Sequence, residues 1–286
     1  MSQLTELSLE CNQLGDESAH KISQFKQLTS LGVENNEIGP TGAKSISTMK
    51  QLTSLNIKNN SVGVEGAHSI SNMTRLTHLD ISLNNIGDEG AKIICQLKQL
   101  TNLNISYNQI TSNGMIPFKE MKQLIILNVG SNRIGNEGIE NISGLSQLTE
   151  LDIGGCDFGN EGAKSISQLT NLTCLYCCSN NIREEGAKSI SQLEKVTCLN
   201  LCVNYLHADG AKHISQMKQL THLYMDSNEI GDDGAEDLCG LENLKVLSIR
   251  GNNISYDMVQ AIHELGKFTV ESEGNLFDET EYADEY

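Results

Sequence analysis

Sliding the sequence against itself by 24 residues brings Leu4, Leu28, Leu52, Leu76, Leu100, Leu124, Leu148, Leu172, Val196, Leu220 and Leu244 into one column without an insertion. No other feature constrains the fold as tightly. A chain of 286 residues exceeds the usual size of one globular core, and eleven equal repeats assign it to an elongated array that adds core rung by rung. Within a repeat the apolar residues keep fixed places, as with Leu76, Leu79, Ile81 and Ile86 around Asn84. The fourth and sixth positions lie two apart, so a short strand turns both inward and its flanking residues outward. Carboxylates then open a stretch whose Ala, Ile and Leu/Met columns recur every three residues, which predicts a short helix. Strands about 4.8 Å apart on one side and bulkier helices on the other force the stack to curve. The expected fold is an α/β solenoid, a curved horseshoe with a parallel β-sheet on its concave face and short helices on its convex face.

The remaining columns have their own physics. The ninth position is Asn12, Asn36, Asn60, Asn84, Asn108, Asn132, Asn180, Asn204, Asn228 and Asn252, with Cys156 as the exception. A polar side chain at a buried turn must be hydrogen-bonded, so these amides should tie adjacent turns into a ladder, with the Cys156 S–H as a weak substitute donor. Gly recurs at one site in nine repeats, from Gly42 to Gly234. Close backbone packing accounts for that column better than a phosphate loop. Pro117 is expected in the first turn of its helix, where it is tolerated.

The pattern L-x-x-L-x-L/I-x-x-N-x-I resembles the leucine-rich repeat. The run Asn-x-Ile-Gly-x-Glu-Gly-Ala-Lys-x-Ile-Ser is similar to the 24-residue repeats called GALA-type, relatives of the ribonuclease-inhibitor-like class, over about residues 4 to 267. The resemblance implies a binding scaffold. Some proteins of this kind carry an F-box ahead of the repeats and select substrates for SCF-type ubiquitin ligases. The broader class includes Ran-type GTPase-activating proteins, which join such repeats to an acidic C-terminal region, as this chain does. Its first repeat begins at Leu4, without an F-box before it, and Arg75, Arg133, Arg183 and Arg250 match no catalytic motif of the class. No site residue is therefore carried over.

A formal net charge of -17 opposes phosphate backbones and anionic membranes, so nucleic acid and membrane are excluded as partners and a neutral or basic protein is expected. The start has no secretory leader, no stretch approaches the roughly 18 apolar residues of a membrane span, and nine scattered cysteines lack a disulfide framework. These features point to the cytoplasm.

Framework columns are fixed by packing, so partner information should lie at the outward strand positions, the third, fifth, seventh and eighth. Early repeats offer Glu6, Ser8, Glu10, Glu34, Asn56, Lys58, His78 and Asp80, a polar and mostly acidic face. Later repeats offer Cys174, Tyr176, Cys178, Cys198, Asn200, Cys202, Val203, Tyr224, Asp226 and Arg250, unusual in a chain with only 4% aromatic residues. Tyr and Arg dominate binding hot spots. The expected partner site is therefore Tyr176, Cys178, Asn200, Cys202, Tyr224, Asp226 and Arg250, with the tyrosines as anchors; the bland alternative is an unused surface.

Chemistry is not expected at the other clusters. Cys174 and Cys178 stand about 13 Å apart on one strand, too far to share one zinc with Cys198 and Cys202. The row Glu150, Cys174, Cys198, His222 has suitable lateral steps but diverging side chains, and a disulfide across Cys174/Cys198 or Cys178/Cys202 is a further possibility. Reduced thiols remain the favoured reading. The pair Cys174 and Cys177 has redox spacing, yet the repeat turns one outward and the other inward. His78, Asp80 and Ser82 share a face in the wrong order for a triad, since Asp stands between the other two. His20 and His68 fill a column held elsewhere by Lys44 and Lys92, which marks them as solvated helix residues. No nucleotide-binding or zinc-protease motif is present, and no cofactor or metal is expected.

The solenoid should span 1–267, followed by a cap and acidic tail over 268–286, where Phe268, Val270, Leu276 and Phe277 break the period and seven carboxylates stand without Lys or Arg. At the opposite end Leu7, Leu9, Ile22 and Phe25 are expected to lie partly exposed, which allows self-association through that rung. The reading as a whole is a non-catalytic scaffold that holds a protein partner on its concave face, with the ubiquitin-ligase receptor and the GTPase-activating protein as alternatives.

Overall fold

The computed structural model describes residues 4–275. The chain divides into two compact units, Met1–Cys156 and Asp157–Tyr286. In the N-terminal unit β1 (Glu6–Ser8), β2 (Ser30–Gly32), β3 (Ser54–Asn56), β4 (His78–Asp80), β5 (Asn102–Asn104), β6 (Ile126–Asn128) and β7 (Glu150–Asp152) pair in chain order. Every pairing is parallel, and Leu31, Leu55, Leu79, Leu103, Leu127 and Leu151 stand in direct register. Between the strands run α1 (Gly15–Ile22), α2 (Pro40–Ile46), α3 (Gly63–Ile70), α4 (Gly87–Ile94), α5 (Ser112–Met115) and α6 (Gly135–Glu140).

The C-terminal unit repeats the plan with α7 (Asn160–Ile166), β8 (Cys174–Tyr176), α8 (Glu184–Ile190), β9 (Cys198–Asn200), α9 (His207–Ile214), β10 (His222–Tyr224), α10 (Gly231–Leu238), β11 (Val246–Ser248), α11 (Tyr256–Leu265) and β12 (Thr269–Glu271). Strands β8 to β12 again pair parallel in order. Each unit is thus an open parallel sheet with short helices returning the chain, the solenoid plan that the period predicts.

The framework columns form the core. In the fourth repeat Leu76, Leu79, Ile81, Ile86, Ala91 and Ile94 are buried, each large side chain contributing about 1.5–3 kcal/mol. The Asn ladder is present. Asn108 Nδ2 donates to the carbonyls of Ile81, Ile105 and Ser106 at 3.0–3.1 Å, and its Oδ1 accepts from the backbone of Asn84 at 3.0 Å and Ile86 at 3.2 Å. Cys156 fills the corresponding place with its thiol, which reaches the carbonyls of Val129 at 3.4 Å and Gly154 at 3.8 Å.

The glycine column follows from close packing. A Cβ on Gly66 would strike the Val62 side chain and stand 3.0 Å from the Ala43 Cβ of the preceding helix. The carboxylates near the helix starts act one repeat ahead. Asp16 Oδ1 accepts the backbone N–H groups of Gly39 and Gly42, and Asp88 accepts both the backbone and the hydroxyl of Thr111 at 2.7 Å. They therefore satisfy the orphan donors of the following helix.

Two sequence expectations need correction. Pro117 stands in the first turn of a 3-10 helix, Ile116–Glu120, and not of α5, which ends at Met115, because its ring cannot continue the α-helical ladder. Ile22 is buried at 6%, since α1 packs on α2, whereas Leu7, Leu9 and Phe25 are half-buried. The segment after Phe268 continues the sheet, with Val270 beside Leu247 and Asn275 Oδ1 accepting from the Asn252 backbone at 2.7 Å. Leu276, Phe277 and the carboxylates from Asp278 onward lie outside the described residues.

Candidate functional site

On the outward face of the C-terminal unit the strand register builds three rows. The third-position row is Cys174, Cys198, His222, Val246; the fifth is Tyr176, Asn200, Tyr224, Ser248, Glu271. Seventh-position residues Cys178, Cys202, Asp226 and Arg250 follow just beyond the strand ends. All seven residues expected from the sequence fall on this face. Tyr176 and Tyr224 are registered on either side of Asn200, two strands and about 10 Å apart.

The two halves of the face differ in chemistry. Around Tyr176 the partners are thiols: its hydroxyl lies 3.6 Å from Cys174 Sγ and 3.9 Å from Cys198 Sγ. These sulfur contacts, then burial, push the phenol well above its ordinary range, so it stays neutral. Burial is the larger cause for Tyr224, whose phenol is also raised. Cys202 is pushed up to about 12, by burial first and the Asp226 charge second. The Cys202 thiol is thereby held in the poorly nucleophilic form.

Toward β12 the face becomes a charged lattice. Asp226 Oδ1 accepts from the Ser248 hydroxyl at 2.6 Å and the Arg250 backbone at 2.9 Å. The Arg250 guanidinium pairs with Glu271 at 3.0 Å and Glu273 at 2.6 Å. Ser248 is buried beneath this group and also reaches Glu271 at 3.3 Å. Sequence reasoning missed Ser248, Glu271 and Glu273. The step from β11 to β12 is 23 residues rather than 24, Val246 standing beside Thr269, so a strict column reading misaligns the glutamates.

The clusters set aside at the sequence level are placed as follows. Cys177 is buried while Cys174 is half-buried on the outward face. None of the nine cysteines is in a disulfide. Among the described residues no group of three His, Cys, Asp or Glu side chains is arranged to hold a metal ion. In the N-terminal unit the Ser82 hydroxyl donates to Asp80 at 2.6 Å, while His78 Nδ1 faces Thr77 at 2.9 Å, so base and hydroxyl are not joined. His20 and His68 are exposed helix residues.

Comparison with known proteins agrees with this geometry. The family profile described as leucine rich repeat matches residues 26–86, 50–110, 98–158 and 194–254, and a second profile of the same description matches residues 2–23. With more than half of its length matched, the chain belongs to the leucine-rich-repeat family. No curated protein matches the sequence. Among solved structures the chain is similar to an internalin (inlF) from Listeria monocytogenes, at 18% identity and TM-score 0.72, over 97% of this chain and 83% of that one. It is also similar to the functional domain of InlJ from Listeria monocytogenes, described as including a cysteine ladder, at 22% identity and TM-score 0.67, over 96% of this chain and 54% of that one. A plant peptide hormone receptor, RGFR1 in complex with RGF2, aligns at 17% identity and TM-score 0.55, over 96% of this chain and 52% of that one. The chain thus spans about half the length of the last two, and at these identities the likeness is one of fold. The GALA-type subclass remains a sequence resemblance. No helix among the described residues is long and apolar enough to cross a membrane.

Proposed function

We propose that the chain is a non-catalytic scaffold that holds a protein partner on the strand face of its C-terminal unit. One observation carries the reading: Tyr176 and Tyr224, half-exposed and registered across Asn200, place two rigid amphipathic side chains about 10 Å apart on an ordered sheet. Asn200 and Cys202 lie between them, Cys178 and Asp226 flank them, and Arg250 closes one end already held by Glu271 and Glu273. A lattice with three carboxylates around one guanidinium favours a neutral or basic partner. The raised thiol of Cys202 and the raised phenols argue against nucleophilic chemistry on this face. Nine thiols suit a reducing compartment such as the cytoplasm.

The test is affinity capture with the wild-type chain and a Tyr176→Ala/Tyr224→Ala chain of equal thermal stability. A protein retained by the first and lost by the second, and rebound as a purified component, supports the assignment. If every protein captured by the wild type is retained by the double variant, the strand face of this unit is not the contact surface.

A further inference from the structure

The eighth position of each repeat is held in the left-handed region of backbone space. In the N-terminal unit Asn35 has φ 56°, Asn59 50° and Ser131 53°, and these short polar residues suit that conformation. Leu83 and Tyr107 occupy the same column at φ 56° and 54°. A bulky side chain there strains the backbone, and both also stand out into solvent, Leu83 at 38% and Tyr107 at 57% exposure. The two residues are thus unfavourable on two independent grounds, and neither contributes to the core.

Leu83 and Tyr107 are not scattered. With Gln109, Thr111, Ser131 and Arg133 they line one open cavity of about 530 Å³ at the loop edge of the N-terminal unit, within the size range of ligand-binding clefts. Arg133 is exposed and forms no ion pair among the described residues. The adjacent carboxylate, Asp88, is turned to the Thr111 backbone and hydroxyl, each at 2.7 Å. The cavity therefore offers an apolar ledge beside an uncompensated guanidinium, in a chain of net charge -17. Arg250 and Arg183 differ, the first paired with two glutamates and the second stacked 5.7 Å from the Tyr205 ring centre.

We propose that this cavity docks a short peptide segment of a protein partner, one that presents a carboxylate beside a large apolar side chain. Arg133 takes the carboxylate through its planar fork, and Leu83 and Tyr107 cover the apolar group. The site is separate from the strand face of the C-terminal unit and does not depend on it.

The experiment selects phage-displayed random heptapeptides on the full chain, with depletion on a Leu83→Asn/Tyr107→Asn/Arg133→Gln chain. Asparagine is native to this column, so the variant should fold. The expected result is an enriched set sharing Asp or Glu next to a large apolar residue. A synthetic peptide from that set should lose about tenfold or more in affinity when its acid is changed to the amide, and again when Arg133 alone is changed to Gln. Tyr107→Asn should abolish binding while raising the melting temperature. Absence of enrichment, a shared motif without a carboxylate, equal binding by the triple variant, or loss of binding together with a lower melting temperature in Tyr107→Asn would each overturn the proposal.

Discussion

The backbone N–H of Asn84 donates to the side-chain Oδ1 of Asn108, 24 residues further on, at 3.0 Å. The same oxygen accepts from Ile86, and the Asn108 amide returns a bond to the Ile81 carbonyl. Asn108→Ala would leave buried donors and acceptors of two repeats unsatisfied, with an expected loss of about 3 kcal/mol in urea unfolding. Asn12, exposed in the first repeat, should cost under about 1 kcal/mol when replaced by Ala. Equal losses at the two positions would contradict the ladder as a stabilising element.

Val203 adopts φ 55° with 52% of its surface exposed. A β-branched residue is strained there, by about 1–2 kcal/mol. Val203→Asn should therefore raise the melting temperature, and the reverse exchange at Asn59, φ 50°, should lower it. A fall in stability on Val203→Asn would show that the side chain packs rather than strains.

Cys202 has its thiol pushed up to about 12, by burial first and then by Asp226. The folded state therefore holds this proton more tightly than the unfolded chain, whose thiol titrates near 9.0. The stabilising contribution is complete below that value and declines as the pH rises towards about 12. Alkylation of Cys202 should still be accelerating above about pH 10, where an ordinary exposed thiol has levelled off, and Asp226→Asn should shift the profile to lower pH. A plateau at the ordinary position would contradict this environment.

The period made the strands, helices, ladder and glycine column readable because each is set by packing against an identical neighbour: Leu79 has the same surroundings as Leu55 and Leu103. That the seven residues of the proposed surface share one strand face was readable for the same reason, since register follows from the column. What escaped depends on departures from the column. One missing residue brings Glu271 beside Ser248 and shapes the Arg250 lattice. The left-handed conformation at Leu83 and Tyr107 is a property of the turn, and a hydrophobicity pattern carries no sign of it. The shortened α5 depends on how Pro117 meets its own turn, which spacing alone does not decide.

Stacking in register, with residues one repeat apart as lateral neighbours on a common face, underlies both the fold and the partner surface. Bridging thiols with dibromobimane in a Cys178→Ser/Cys202→Ser chain, followed by peptide mass spectrometry, tests it most directly. Cys174 and Cys198 are registered on neighbouring strands, about 5 Å apart along the sheet, and should be the dominant linked pair. Linkage of Cys174 to Cys177 instead, or no linkage between repeats, would contradict the register and the surface built on it.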